Sequence, residues 1–323
     1  MIPTPFSLLA ERLTLSPKAL QRAATASLVA SILIIVFGGV VRLTGSGLGC
    51  PTWPACEPGS LAATPALGIH GFIEFTNRAF TGVLVAAVAW VIIAARLQPL
   101  RDRTMTRLAW SQFWLVVANA LAGGVTVFSG LNPYIVAGHF VLAIALLTTT
   151  ALTWHRARTA QSAMFAPSPL VRGLSVGLAG ITLTVILVGT LVTGTGPHAG
   201  DTAEVPRMQF EWVNVTIVHG ALGTLSLALA LLLWVKLRSE PNAQLARRRV
   251  LVYIIVVVLQ ALLGIGQSLL GLPEVLVALH LLGSALVWVG ALRVVLDVNP
   301  GLLATRSRAS AEQSSTAQAA RVD

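Results

Sequence analysis

The chain has 323 residues, of which 55% are hydrophobic and only 11% charged, under half the share of about 25% that soluble domains carry. That composition excludes a soluble enzyme or soluble binding module and requires a membrane protein. The formal net charge of +10 does not make it a nucleic-acid binder, because the basic residues are distributed as topology demands.

Eight apolar stretches reach or approach the roughly 20 residues that a bilayer-spanning helix needs: 23–43, 71–95, 108–128, 134–154, 171–193, 213–235, 250–270 and 275–296. Ahead of the first, residues 1–22 read as a cytoplasmic segment in which Pro3, Pro5 and Pro17 oppose one long helix. A cleaved signal peptide is the competing reading of 1–43. It fits poorly, since signal peptides have a shorter apolar region and a small-residue cleavage site. Of the 22 basic residues, all but Arg42, Arg78 and Arg207 fall toward one side of this alternation. Basic loops stay inside, so the expected placement is a multi-pass protein of the cell membrane with both termini cytoplasmic.

The spans repeat. Asn119–His139 reads NALAGGVTVFSGLNPYIVAGH, and Gln260–His280 reads QALLGIGQSLLGLPEVLVALH. Each places a Gly-Leu turn at the same offset and ends on a His. The first span leaves through Thr44-Gly45-Ser46-Gly47 and the fifth through Thr193-Gly194-Thr195-Gly196. Asn77 in the second span falls where His219 falls in the sixth. An even number of spans per half keeps the two halves in one orientation. The expected fold class is an all-α membrane protein, eight transmembrane helices as two tandem related four-helix bundles. The bundles occupy 23–156 and 171–296, the linker 157–170, and a disordered cytoplasmic tail 297–323, which lacks apolar periodicity.

Cys50 and Cys56 are the only cysteines, both in the first outer loop around Pro-Thr-Trp-Pro-Ala. In an oxidising compartment they form a disulfide that holds the loop over the bundle end. Two free thiols, or a redox-active pair, are the other readings.

His139, His219 and His280 each lie a few residues into a span that starts on the outer side, at one depth. Ionisable groups inside spans are expensive and usually functional; interhelical hydrogen bonding is the plainer alternative. Zinc wants three or four ligands, whereas haem iron needs one or two axial ligands and an apolar pocket. His219 and His280 therefore fit a bis-His b-type haem between spans six and eight, with Gly220, Gly223 and Gly283 giving a flat macrocycle room. The first half breaks the symmetry, because His139 is matched by Asn77, a poor ligand. That site is either five-coordinate on His139 or completed by His70 from an irregular helix start. His70, Glu74 and Asn77 share one helix face. Glu74 is either a proton donor or acceptor beside a haem edge or the partner of Arg78 in a structural pair. Arg42, Arg78 and Arg207 either meet haem propionates or snorkel to the interface.

Taken together, GGVVRLTGSGLGCPTWPAC, the Glu-x-x-x-Arg of IEFTNR, TGTGPHAGD and the three histidines resemble the heme A synthases, bacterial type, over roughly residues 23–296. The resemblance implies oxidation of the C8 methyl of heme O to the formyl group of heme A, by two hydroxylations and loss of water. It implies Glu74 as the essential acid, His139 as a ligand of the substrate haem, His219 and His280 as ligands of a heme b cofactor, and Cys50 and Cys56 as the family's cysteine pair. It further implies heme O as substrate, a heme O synthase as partner, an electron acceptor or donor, and haem sites near the outer face. Many members carry Glu-x-x-His-Arg where this chain has Asn77, so a bis-His site is not carried over to the first half. A bis-His electron-transfer cytochrome that leaves its haem unmodified is the rival reading, and a repeat-built transporter with histidine proton sites a more distant one.

Overall fold

The computed structural model describes residues 13–100, 102–158, 165–198, 200–202 and 204–303. Among them are eight long helices: α1 Pro17–Leu43, α2 Gly68–Arg96, α3 Arg103–Phe128, α4 Pro133–Arg158, α5 Pro169–Thr195, α6 Trp212–Lys236, α7 Gln244–Leu269 and α8 Glu274–Val298. All eight are long and apolar enough to cross a bilayer, and each coincides with one predicted span. The expected fold class is therefore the one observed. The expected lead, linker and tail fall in part on 1–12, 159–164 and 304–323, outside the described residues.

The helices start earlier than the apolar runs suggest. α1 begins at Pro17, where Ser16 Oγ accepts the N–H of Ala19 at 3.3 Å. Proline suits a first helical turn, because its missing N–H would have no partner there. Pro17 thus sits where a helix begins, within the segment in which the prolines oppose one long helix. α5 starts the same way, with Ser168 capping Val171 ahead of Pro169. At α3 the cap is Asp102, whose Oδ1 accepts from Thr104 N–H at 2.9 Å and Met105 N–H at 3.2 Å.

The repeated turn has one physical form in both halves. Leu131 N–H bonds Thr126 O at 2.9 Å, and Leu272 N–H bonds Gln267 O at 2.7 Å. These are the six-to-one bonds of a Schellman helix end. Gly130 and Leu131 have φ 58° and 59°, and Gly271 and Leu272 have 74° and 62°. The left-handed region admits glycine freely and a leucine only at a cost. Two turns sharing that cost deliver α4 and α8 at matching places.

Each half closes as a ring. α1 packs on α2 and α4, and α3 on α2 and α4; α5 packs on α6 and α8, and α7 on α6 and α8. The halves meet where α8 packs on α1 and α4, and where α4 packs on α5. Lipid tails are as apolar as the side chains, so association rests on close packing of small residues. α1 accordingly buries Ala23, Ala24, Ser27, Ala30 and Ser31.

Two buried polar bridges tie the helices together. In the first half Gln112 accepts from Ser27 Oγ at 2.7 Å and donates to Thr153 Oγ1 at 2.7 Å, joining α1, α3 and α4. In the second half Tyr253 Oη lies 2.7 Å from both Thr182 Oγ1 and Ser226 Oγ, joining α7 to α5 and α6. Gln112 and Tyr253 hold the same position in the repeat, as His139 and His280 do. Between the halves, Trp288 Nε1 of α8 donates to Thr148 Oγ1 of α4 at 2.8 Å.

Candidate functional site

Cys50 and Cys56 are joined as a disulfide, and both are fully buried. The loop that they close is fastened to α2 by a pair one helical turn apart. Glu74, 5% exposed, accepts the Cys50 N–H on Oε2 at 2.6 Å. Its Oε1 accepts from Arg78 Nε at 3.2 Å and from Arg78 Nη2 at 2.5 Å. Arg78 also donates to three loop carbonyls, Thr52 at 2.7 Å, Ala55 at 3.1 Å and Cys50 at 3.2 Å. A guanidinium has five N–H donors, and this set uses all of them. Arg78 therefore has no donor to offer a haem propionate in this arrangement.

Two glycines let the loop settle. A Cβ on Gly124 of α3 would meet the Trp53 ring at 2.7 Å, and one on Gly49 would fall on the backbone of His70. Trp53 thus lies against the residue next to Gly123, which itself faces the His139 ring: a Cβ there would meet His139 Cε1 at 3.4 Å. The Cys loop, α2 and the His139 position form one assembly at one end of the first bundle.

His139, His219 and His280 each sit about two turns, roughly 10 Å, past the start of α4, α6 and α8. Each ring is walled by a glycine on a neighbouring helix. Gly189 meets His219 Cε1 at 3.2 Å and Gly264 meets His280 Cε1 at 3.3 Å, measured from a built Cβ. In the second half the His219 and His280 ring centres are 6.3 Å apart. Two ring nitrogens sharing one metal at about 2 Å each place the ring centres roughly 6 Å apart. His219 Nδ1 lies 3.1 Å from Val185 O, and a hydrogen bond there leaves Nε2 as the free nitrogen, the arrangement typical of ligating histidines. His280 Nδ1 is buried without a partner. The second half thus fits an axially ligated haem. Gly220 and Gly223 face open space, but the room at Gly283 is filled by the Gln260 side chain.

The first half has no such pair. The His139 ring makes no hydrogen bond among the described residues, and Asn77 Oδ1 is buried without a partner. His70 stands in the first turn of α2, its Nδ1 3.0 Å from Ser46 Oγ. Its ring is thus held at the loop after α1. His155 lies at the opposite end of the helices, 3.8 Å from Asp297.

The loops that follow α1 and α5 are joined. Gly47 N–H bonds Gly200 O at 2.7 Å, and Ser46 and Asp201 form an antiparallel bridge. Arg42 crosses from α1 to donate to His198 O at 2.8 Å and Thr193 O at 2.7 Å. Arg207 donates to Pro197 O at 2.7 Å. All three arginines of this end therefore fasten loop carbonyls, a use that neither of the two sequence readings contained.

Comparison with known proteins agrees with this architecture. The model of the COX15-CtaA family, cytochrome oxidase assembly protein, matches residues 21–292. The chain belongs to that family. Among its relatives, a heme A synthase of Bacillus licheniformis is 26% identical over 272 residues, 77% of this chain and 86% of the relative. One of Symbiobacterium thermophilum is 28% identical over 236 residues, 67% and 75% of the two chains. One of Exiguobacterium sibiricum is 28% identical over 203 residues, 57% of this chain and 64% of the relative. The COX15-CtaA match takes in the Cys loop, Glu74, Arg78 and all three span histidines.

Sequence reading gave no role to several residues that pack around these side chains: Ser46, Trp53, Gly123, Gly189, Gly264 and Gln260. Gly123 and Gly264 were within reach, since each stands four residues after the amide that opens its repeat. Trp53 and Ser46 were not, because their contacts depend on how the loop folds back.

Proposed function

We propose that this chain is a heme A synthase, oxidising the C8 methyl of heme O to the formyl group of heme A by two successive hydroxylations and loss of water. The relatives' names support the reading. The observation that carries it is the contrast between the halves, a histidine pair 6.3 Å apart in the second and, in the first, a His139 ring without a hydrogen bond among the described residues and an unpartnered Asn77 Oδ1 on α2. The second half suits a resident heme b, and the first a haem that must bind, react and leave.

In this reading His219 and His280 hold the heme b iron, which when bound supplies one-electron transfer. Val185 O fixes the tautomer of His219, and Gly189 and Gly264 fix the planes of the two rings. His139 binds the iron of the substrate, heme O, with Gly123 setting its ring. Asn77, in place of a second histidine, leaves the opposite side of the substrate without a strong ligand. The Cys loop covers this site, and Glu74 and Arg78 hold it there. Glu74 has both carboxylate oxygens engaged, so its first role is to clamp the loop. It accepts three hydrogen bonds, two of them on Oε1, which leaves a lone pair of Oε2 for a proton exchanged with the substrate edge. His70, held by Ser46, belongs to the same loop assembly.

The charge distribution supports a cell-membrane protein with cytoplasmic termini and both sites toward the outer face. The chemistry also asks for a heme O synthase upstream and an electron acceptor or donor. The experiment is co-expression with a heme O synthase, followed by analysis of the extracted haems. Heme A and its hydroxylated intermediate are expected. Their absence, with a low-spin haem still bound, would leave an electron-transfer cytochrome instead.

A further inference from the structure

The amide that opens each repeat does different work in the two halves. Gln260 of α7 sends its Nε2 across to α8 and donates to the main-chain oxygen of His280 at 2.8 Å. Its amide fills the space that Gly283 leaves; a Cβ on Gly283 would fall on it. One turn along α7, Gly264 stands against the His280 ring at 3.3 Å. A single face of α7 therefore holds both the backbone and the ring of His280. Asn119, at the same repeat position in α3, is one methylene shorter. Its Nδ2 turns back to Leu115 O of its own helix at 2.7 Å. Gly123 still walls the His139 ring, but among the described residues no side chain is hydrogen-bonded to the His139 main chain.

We infer that Gln260 is the positioning residue for His280, a bracket that holds this ligand in register with His219 and makes the second half the permanent holder of its haem. The inference rests on His219 and His280 being haem ligands. The mechanism is pre-organisation. A ligand held from both backbone and ring does not need to be ordered when the iron binds, and it cannot drift when the iron is strained. The buried, unpartnered Gln260 Oε1 shows that the side chain keeps this place although only one end of its amide is satisfied. A buried polar group left so is costly, and its retention points to the bond at the other end.

The test uses the purified full-length protein with its bound haem, and compares wild type with Gln260→Met, Gln260→Asn and Gly283→Ala. Methionine keeps the length and volume but has no donor, asparagine keeps the donor but not the reach, and the alanine displaces the amide. Three quantities are read: the low-spin ferric electron paramagnetic resonance g values, the rate of haem loss to apomyoglobin, and the thermal unfolding midpoint. All three variants should lose haem about tenfold faster, the scale of one buried hydrogen bond, with shifted g values. Wild-type g values and haem retention in Gln260→Met and Gln260→Asn overturn the inference, whatever their unfolding midpoints, since a purely structural role moves only those. His280→Ala is the control for the reading beneath. If it keeps the wild-type low-spin signal, His280 is not a ligand, and that assignment fails rather than the role of Gln260 alone.

Discussion

Arg78 makes five hydrogen bonds, two to Glu74 and three to carbonyls of the Cys loop. That single residue decides how Glu74 is to be tested. Removing one member of a buried ion pair leaves the other uncompensated, typically by about 3–5 kcal/mol. On the proposed function, Glu74→Ala should therefore loosen the loop locally, stop heme A formation and leave a low-spin haem on His219 and His280 in place. Extracted haems and the pigment spectrum of the same preparation check this; loss of all haem would show that Glu74 holds up the whole fold. Glu74→Gln keeps an acceptor for the Cys50 N–H but offers Arg78 no charge. Its disulfide should be reduced faster by dithiothreitol than that of wild type, measured by thiol labelling. An unchanged rate would separate Glu74 from the loop. None of this was legible in sequence beyond the i, i+4 spacing, because the other partners of Arg78 come from three loop residues whose carbonyls converge only after the loop closes.

At the scale of helices and turns, much was legible because the signals are local. Apolar length located the eight spans, and the doubled Gly-Leu turn located the twin histidines. The Ser-Pro starts at Ser16-Pro17 and Ser168-Pro169 are as local and as doubled, and they set the helix starts ahead of the apolar runs. Gln112 and Tyr253 escaped for another reason: two different side chains fill one repeat position, so identity hides the equivalence. The turn itself is open to test. Gly271→Ala places a Cβ in the left-handed region, at about 1 kcal/mol. It should lower the unfolding midpoint of the detergent-solubilised protein, and Gly271→Asn should lower it less. The α3 cap gives a pH prediction. Burial opposes ionisation of Asp102, but the hydrogen bond from Arg156 and those from the Met105 and Thr104 N–H groups outweigh it, so its carboxyl lies below the usual carboxylate range. The stabilisation is complete above the unfolded value, about 4, and is lost as pH falls through the lower folded value. Asp102→Asn should thus be less stable than wild type near neutrality and converge with it in acid. Unfolding midpoints across that range decide it, and a gap that persists in acid would count against the ionic contribution.

At the scale of the molecule, the two rings pack together through α1, α4, α5 and α8 and through the joined loops after α1 and α5. Severing the chain between 158 and 165 and co-expressing the two pieces should therefore give fragments that copurify and retain the low-spin haem. Fragments that separate in mild detergent would mean that the covalent connection is needed.

The seam between the halves has one more consequence. α4 packs on α8, helices that are counterparts in the repeat, while α1 packs on α8 as α5 packs on α4. The halves thus meet as two copies of one subunit meet in an isologous dimer. A four-helix chain with the same outer loop, paired with itself across this face, would enclose two equal haem sites. With both copies on one chain, each half can differ alone: the second carries His219 and Gln260 where the first carries Asn77 and Asn119.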